Sequence, residues 1–309
     1  MIEPLRDFAG KVAVITGGGT GMGRELAKQL TAEGCSVALC DVSMANMEET
    51  KRQCEAAGLP QGTRIVCHVA DVSDEAQLQA FQRAVADGLK TEKVHLLFNN
   101  AGIGGGGGFV RGTRAEWERT FNVCWYGVYY SCRVFLPMLL KAERAHVTNT
   151  SSVNGFWASI GPNEAHTAYP AAKFAVKGFT EALLTDFRLN APHITASVVM
   201  PGHVGTAIML NTHTEMHTIR NAVTAGGVAL DEDRRQRIEK VGRAFEERAP
   251  TSAAEAATII LDGVRANRWR ILVGEDAQII DKAVRAEPER VYDADWRNPM
   301  GLSLEKPAR

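Results

Sequence analysis

No excess charge of either sign marks this chain of 309 residues: 35 lysines and arginines stand against 36 aspartates and glutamates, a formal net charge of −1. A balance that close leaves no electrostatic footprint for nucleic acid or for an anionic membrane surface. Long apolar runs are missing too. The longest candidate, Val134 to Leu140, is interrupted by Pro137 and falls well short of the roughly 20 residues of a spanning helix. Glu3 and Asp7 precede the first short apolar stretch, which does not read as a secretory signal. The expectation is a cytoplasmic protein with neither membrane nor nucleic-acid partner. Cysteine is sparse: six residues, at 35, 40, 54, 67, 124 and 132, none in a C-x-x-C pair. That pattern fits reduced, mostly buried thiols and offers no disulfide framework. No internal repeat divides the chain, and no low-complexity linker other than the glycine cluster Gly102–Gly108.

What is present is an ordinary globular composition, 45% hydrophobic and 23% charged, at a length that suits one large α/β domain. The 29 glycines are unevenly spread. Five fall between Gly17 and Gly23 and six between Gly102 and Gly108. Such clusters mark flexible loops or, at the end of a strand, places where backbone comes close to a ligand.

Strand-like and helix-like segments alternate. Lys11–Ile15, Ser36–Asp41, Arg64–Asp71, Val94–Phe98, His146–Ser151, Ile194–Val199 and Arg270–Val273 read as seven strands. Between them lie amphipathic segments, among them Met22 to Gly34 and a helix expected to be capped by Ser73. This rhythm predicts one doubly wound Rossmann domain: a mostly parallel seven-stranded sheet with helices on both faces. The domain should cover residues 1–276, with a substrate-lid insertion at about 206–250 that includes a charge-balanced, solvated helix over Asp231–Arg248. Residues 277–309 should form an extension with a short helix and a tail, not a separate domain. Thr120 to Cys132 contains no charge, so a helix there must be covered on more than one side. The sheet is one cover; a second subunit in a homodimer or homotetramer is the favoured other, and burial under the chain's own long insertions is the competing reading.

Thr16-Gly-Gly-Gly-Thr-Gly-Met-Gly23 follows the first strand and opens the first helix. It is not G-x-G-x-x-G in register, but the physics is shared: glycines permit the turn and admit a pyrophosphate to a helix N-terminus. Gly17, Thr20, Gly21, Met22 and Gly23 are therefore candidate cofactor-binding residues. Asp41, at the end of the second strand, can accept hydrogen bonds from ribose hydroxyls and would repel a 2′-phosphate. Val42 and Ser43 follow it, with no adjacent arginine, so NAD is expected over NADP.

The chain resembles the short-chain dehydrogenase/reductase family from about Lys11 to Val273. The resemblance rests on Thr16-Gly-x-x-x-Gly-x-Gly23, Asp71-Val72, Asn99-Asn-Ala-Gly102, Asn122, Ser151-Ser152, Tyr169-x-x-x-Lys173 and Pro201-Gly-x-Val-x-Thr206, in that order. It implies that Asn122, Ser152, Tyr169 and Lys173 are catalytic. It also implies that Asp71 and Val72 border the adenine, that Asn99 and Gly102 stabilise the sheet and pass the nucleotide, that Thr206 holds its carboxamide end, and that Ala101, Pro201, Gly202 and Val204 belong to the cofactor site. Lys173 would reach the nicotinamide ribose beside Tyr169.

The residues argue the same way. Tyr169 and Lys173 are four apart and share a helix face, and Pro170 places the tyrosine in a first helical turn. An ammonium beside a phenol favours phenolate, and moving a tyrosine from about 10 to about 7 takes roughly 4 kcal/mol. Tyr169 would be the general acid/base, Ser152 a donor to the substrate oxygen, and Asn122 the holder of a relay water. A core asparagine satisfied within the fold is the competing reading of Asn122. Ser152 and Tyr169 are seventeen residues apart, where the resemblance leads one to expect about thirteen, loops being the variable part. The surplus lies around Gly161–His166, enlarging the substrate loop and keeping Ser151 as an alternative to Ser152.

Other signals are weaker. His213 and His217 share a helix face but lack a third ligand, so a lid helix and no metal site is expected. Asn149-Thr-Ser151 matches a glycosylation sequon on a strand that should be buried. Phe156, Trp157, Met209 and Leu210 flank the expected pocket, and core packing explains them almost as well. The resulting expectation is an NAD-dependent oxidoreductase acting on a medium-sized, largely apolar secondary alcohol or ketone. The alternatives are a catalytically silent NAD-binding sensor or scaffold, and a lyase or epimerase on the same fold.

Overall fold

Alternation along the strands sorts the core into two layers. In β1 (Val12–Thr16), Val12 and Val14 turn to one face of the sheet, Ala13 and Ile15 to the other. In β2 (Ser36–Asp41), Ala38 and Cys40 oppose Val37 and Leu39 in the same way. A computed structural model describes residues 5–159, 165–223, 232–293, 295, 296 and 299. Both sheet faces are covered, so both sets of side chains are apolar, as a parallel sheet requires.

The remaining strands of the main sheet are β3 (Ile65–Val69), β4 (Leu96–Asn99), β5 (Ala145–Thr150), β6 (Ile194–Pro201) and, last in the chain, β9 (Arg270–Val273). All pairings are parallel and the order is β3-β2-β1-β4-β5-β6-β9. The chain reverses its direction of travel between β1 and β4. That junction is the topological switch point, where open α/β sheets bind ligands beyond the carboxyl ends of their strands. The architecture is the doubly wound, seven-stranded parallel sheet read from the sequence.

One layer of helices contains α1 (Gly21–Ala32), α2 (Met44–Ala56) and α9 (Ala253–Arg265), which bury Leu26, Leu30, Met47, Ile260 and Leu261. The other contains α3 (Glu75–Leu89), α5 (Gly127–Leu140) and α6 (Ala168–Asn190), which bury Phe81, Phe135 and Phe187. Burial of each such side chain contributes on the order of 1.5–3 kcal/mol. The cap of α3 differs from expectation. Asp74, not Ser73, accepts the N–H groups of Ala76 and Gln77, while Ser73 donates both its N–H and its hydroxyl to Asp71.

The uncharged segment lies in a continuous helix: α4 (Arg114–Phe121), a π-helical turn (Asn122–Tyr126) and α5. Val123, Cys124 and Val128 face inward, but Tyr126 and Tyr129 remain 38% and 36% exposed. The segment after Thr206 forms two helices, α7 (Ile208–Val223), which carries the expected lid helix, and α8 (Glu232–Glu247), close to the expected Asp231–Arg248. His213 and His217 lie on α7. A short two-stranded parallel ladder, β7 (Val204–Gly205) with β8 (Thr251–Ser252), closes the base of this insertion and was not anticipated. The final helix, α10 (Glu275–Ala286), begins two residues before the expected extension and packs against β9 and the turn after Ser152.

Candidate active site

Thr16 ends β1 by joining two crevice loops: its hydroxyl oxygen accepts the N–H groups of Asn100 (3.0 Å) and Ala101 (3.1 Å). The glycine turn follows. Gly17 has φ +66°, and a Cβ there would come within 2.9 Å of the Ala101 backbone. A Cβ on Gly23 would sit 2.1 Å from the Gly17 carbonyl oxygen. Backbone packs against backbone here, and only glycine fits. Thr20 precedes α1 in extended conformation and makes no side-chain capping bond, so the first N–H groups of α1 point to the crevice uncapped by it.

A cavity of about 320 Å³ opens over this turn. Of the residues anticipated for the cofactor, Gly17, Thr20, Gly21, Met22, Asp41, Asp71, Val72, Ala101, Gly102 and Thr206 lie on its wall. Gly23 lies beneath the turn. Asn99 does not reach the wall: it is 1% exposed, and its amide donates to Asn149 Oδ1 (2.8 Å) and Cys132 Sγ (3.2 Å), tying β4 to β5 and α5. Its neighbour Asn100 occupies the wall instead and donates to the carbonyls of Thr16 and Gly17. Pro201, Gly202 and Val204 are also set back from the wall. A Cβ on Gly202 would strike the Asp276 carboxylate, which accepts the His203 N–H at 2.6 Å. These four support the site without lining it.

Asp41 grips the turn from the far side, accepting the N–H of Gly19 through one carboxylate oxygen and that of Ser43 through the other, both at 3.1 Å. Sequence reading missed Arg24, which follows Gly23. Its guanidinium bonds the Gly19 carbonyl (2.5 Å) and Thr50 Oγ1 (3.0 Å) behind the loop. A second missed arginine is Arg119 on α4. It donates to Asp71 Oδ2 and Ser73 Oγ, both at 2.7 Å, and to Glu215 Oε1 on α7 at 2.8 Å. Burial works to raise the Asp71 carboxyl, but hydrogen bonds from Ser73 and the Arg119 guanidinium outweigh it and hold the group below the usual carboxylate value. Ile208, Asn211, Thr214 and Glu215 of α7 complete the wall, so the insertion folds over the cavity. Helix α7 is far away in sequence, and no local signal marks its side chains as wall residues.

Asn122, Ser152, Tyr169 and Lys173 do not line this cavity; Gly102 is the wall residue that stands next to Lys173. Lys173 Nζ lies 3.5 Å from the point where a Gly102 Cβ would stand. Lys173 is 3% exposed and donates to the Thr150 carbonyl at 2.9 Å, with Nζ 5.3 Å from the centroid of the Tyr169 ring. Tyr169 is the second residue of α6 and Pro170 the third, inside the first turn, where proline costs no helical hydrogen bond. The two serines have different partners. Ser151 donates its hydroxyl to the Lys173 carbonyl at 2.7 Å, while the Ser152 oxygen accepts the Asn154 N–H at 3.1 Å. Asn122 opens the π-helical turn, an arrangement common at functional sites.

Two further features emerge only in three dimensions. His166 stacks on Tyr169, rings 9° apart and centroids 5.3 Å apart, with Nε2 2.9 Å from the Gly105 carbonyl. The second glycine cluster is held, not loose. Gly104 N–H donates to Thr212 Oγ1, Thr167 N–H donates to the Gly107 carbonyl, and Cβ atoms on Gly105 or Gly108 would collide with Met216 or Ala165. The glycines let this loop pack between α7 and the start of α6. The loop surplus at 160–164 lies outside the described residues. Asn149, of the sequon, is fully buried. Trp157 packs with the C-terminal segment, and Leu210 lies against Gly242 of α8. Among the described residues no group of His, Cys, Asp and Glu side chains could hold a metal ion.

Residues 11–217 match the short chain dehydrogenase family. The chain is 33% identical over 281 residues to SadH of Mycobacterium tuberculosis, which carries the name of an oxidoreductase; the match covers 91% of this chain and 92% of that one. It is 33% identical over 213 residues to levodione reductase of Leifsonia aquatica, covering 68% and 75% of the two chains. A short-chain dehydrogenase/reductase of Burkholderia phymatum, solved in complex with NAD, superposes with a TM-score of 0.75 at 29% identity, covering 98% of this chain and 99% of that one. The chain is an oxidoreductase of the short-chain dehydrogenase/reductase family.

Proposed function

We propose that this protein transfers hydride between NAD and a secondary alcohol or ketone, with Tyr169 as general acid/base. One observation carries the reading. Gly102 lies on the wall of the glycine-lined cavity, and Lys173 Nζ stands beside it with the Tyr169 ring 5.3 Å from the same nitrogen. A dinucleotide laid along the cavity therefore has its far end at the Lys173–Tyr169 pair.

The residues fit such a cofactor: the turn is too tight for any Cβ at Gly17 or Gly23, and Asp41 stands where a ribose would pass. Nicotinamide supplies the hydride donor or acceptor. The chain supplies the rest. Tyr169 gives or takes the proton of the substrate oxygen. Lys173, held by the Thr150 carbonyl, keeps its ammonium beside the Tyr169 ring. Ser152 donates to the oxygen as charge develops on it. Asn122 holds a water for proton relay. Asp41 favours NAD over NADP, since Arg24, the nearby cation, already binds the Gly19 carbonyl and Thr50. An apolar, medium-sized carbonyl substrate is supported by the kinship with a levodione reductase and by Met209 beside Gly104.

A homodimer or homotetramer joined through α5 and α6 belongs to the same reading. Tyr126, Tyr129 and Phe174 are exposed there, backed by Trp125, which stacks on Tyr129 and meets Phe179 edge-on.

The decisive experiment follows NADH absorbance over a panel of secondary alcohols and ketones. Wild-type turnover that vanishes in Tyr169→Phe, with NADH binding retained, supports the mechanism; full activity in that variant overturns it.

A further inference from the structure

The chain beyond α10 folds back onto the loop that follows Ser152. Trp157 in that loop is 2% exposed and Trp296 in the tail 6%, with ring centroids 5.6 Å apart. Val291 and Ile280 close the cluster around them. Two hydrogen bonds join the same segments. Trp157 Nε1 donates to the Val291 carbonyl at 3.3 Å, and the Ala158 N–H donates to the Tyr292 hydroxyl oxygen at 2.9 Å.

The loop is tied to Ser152 just as directly. The Asn154 N–H donates to Ser152 Oγ at 3.1 Å. The Asn154 side-chain amide donates to the carbonyls of Trp157 (3.0 Å) and Ser159 (2.8 Å). Ser152, Asn154, Trp157 and Trp296 thus form one unbroken series of contacts. Among the described residues, none of the tail lies on the wall of the cofactor cavity.

We propose that the segment after α10 that carries Val291, Tyr292 and Trp296 is a positioning element for the substrate side of the site: it holds the 153–159 turn, and the turn sets the orientation of the Ser152 hydroxyl. This rests on the reading of Ser152 as the donor to the substrate oxygen. The three-residue turn Val153–Gly155 is too short to hold a bulky indole down by itself, so an unclamped Trp157 would face water and release the Asn154 amide with it. Substrate recognition would then loosen while the glycine turn, on the other side of the crevice, stayed as it is. The C-terminal segment is a specificity element acting through Trp157, and Trp296 is a positioning residue.

The test compares Trp296→Ala and Trp296→Phe in the full chain by three measurements: KM and kcat for the best alcohol or ketone, NADH Kd by fluorescence, and amide hydrogen exchange over 153–159 and 17–23. Trp296→Ala is expected to raise KM and lower kcat at least fivefold each, and to raise exchange at 153–159 at least tenfold. NADH Kd should stay within twofold and exchange at 17–23 should not change. Trp296→Phe should restore both substrate terms. Unchanged exchange at 153–159, equal loosening of both segments, or a rise in NADH Kd matching that in KM overturns the proposal. If Trp296→Ala does not fold, Tyr292→Phe, which removes only the acceptor of the Ala158 N–H, must raise exchange at 158 about threefold or the proposal falls. The exchange measurements need no substrate. An inactive wild type with these exchange results would count against the catalytic reading and leave the tail's hold on the loop standing.

Discussion

The imidazole of His166 lies nearly parallel to the phenol ring of Tyr169, 9° between planes and 5.3 Å between centroids, while its Nε2 stands 2.9 Å from the Gly105 carbonyl. One side chain thereby links the glycine-rich loop, itself packed under α7, to the proposed acid/base. An aromatic pair of this kind is worth about 0.5–1.5 kcal/mol, or roughly two- to tenfold in a rate that depends on it. His166→Ala should lower kcat by that factor with NADH Kd unchanged, and His166→Phe, which keeps the stack, should recover most of the loss. Steady-state kinetics on the three proteins checks this.

Ser151 and Ser152 are adjacent yet predict opposite phenotypes. The Ser151 hydroxyl donates to the Lys173 carbonyl inside the protein, and a Cβ on Gly155 would touch it. Ser151→Ala should therefore reduce stability by about 1 kcal/mol and leave kcat within twofold. Ser152→Ala should leave the melting temperature near that of the wild type and cut kcat by about 10²–10³. Thermal denaturation and turnover measured together separate the two.

Asp41 holds the Gly19 and Ser43 N–H groups as well as facing the cavity, so the substitution that tests cofactor choice must retain an acceptor. Asp41→Asn does. Removing the negative charge should weaken NADH binding and relieve repulsion of a 2′-phosphate. The ratio of NADH to NADPH affinity should fall about tenfold, equivalent to about 1.4 kcal/mol. Fluorescence titration with both cofactors reads the ratio directly; an unchanged ratio removes Asp41 from cofactor selection.

Buried histidine makes folding pH-dependent. His146 on β5 lies between Thr195 Oγ1 (2.7 Å) and Ser197 Oγ (2.8 Å). Ser197 donates its own hydrogen to the Arg268 carbonyl, so its oxygen accepts from His146 Nε2–H and Thr195 donates to Nδ1. Burial pushes this imidazole down to about 3 from 6.5. The unfolded chain binds a proton below 6.5 that the folded chain refuses until about 3. Stability from this group is therefore complete above the unfolded value and declines as pH falls through the interval, by about 1 kcal/mol per pH unit. Denaturant melts between pH 7 and 4 should show that slope, and it should flatten in His146→Gln.

The strands and the glycine turn were legible because their signals are local. A parallel strand covered on both faces is a short apolar run, and Ser36–Asp41 and Arg270–Val273 have the bounds expected from the sequence. Tyr169 and Lys173 are legible because four residues make one helical turn, and Pro170 marks where that helix begins. The helices between successive strands also signal the parallel sheet, since parallel neighbours need a crossover connection.

What the chain by itself left open depends on partners distant in sequence. Asn99 and Asn100 have the same side chain and consecutive positions, but Asn99, the last residue of β4, meets Asn149 on β5, while Asn100, just past the strand, lies on the cavity wall. The choice between Ser151 and Ser152 rests on where the Lys173 carbonyl lies, 22 residues away. Arg119 joins Asp71 to Glu215 across elements 48 and 96 residues from it, and Trp296 covers Trp157 from the far end of the chain. Period and propensity are properties of neighbours along the chain and determine the elements. Burial and hydrogen-bond pairing are properties of neighbours in space, and only the packed sheet, with α7 and the tail folded onto it, decides which side chains face the site.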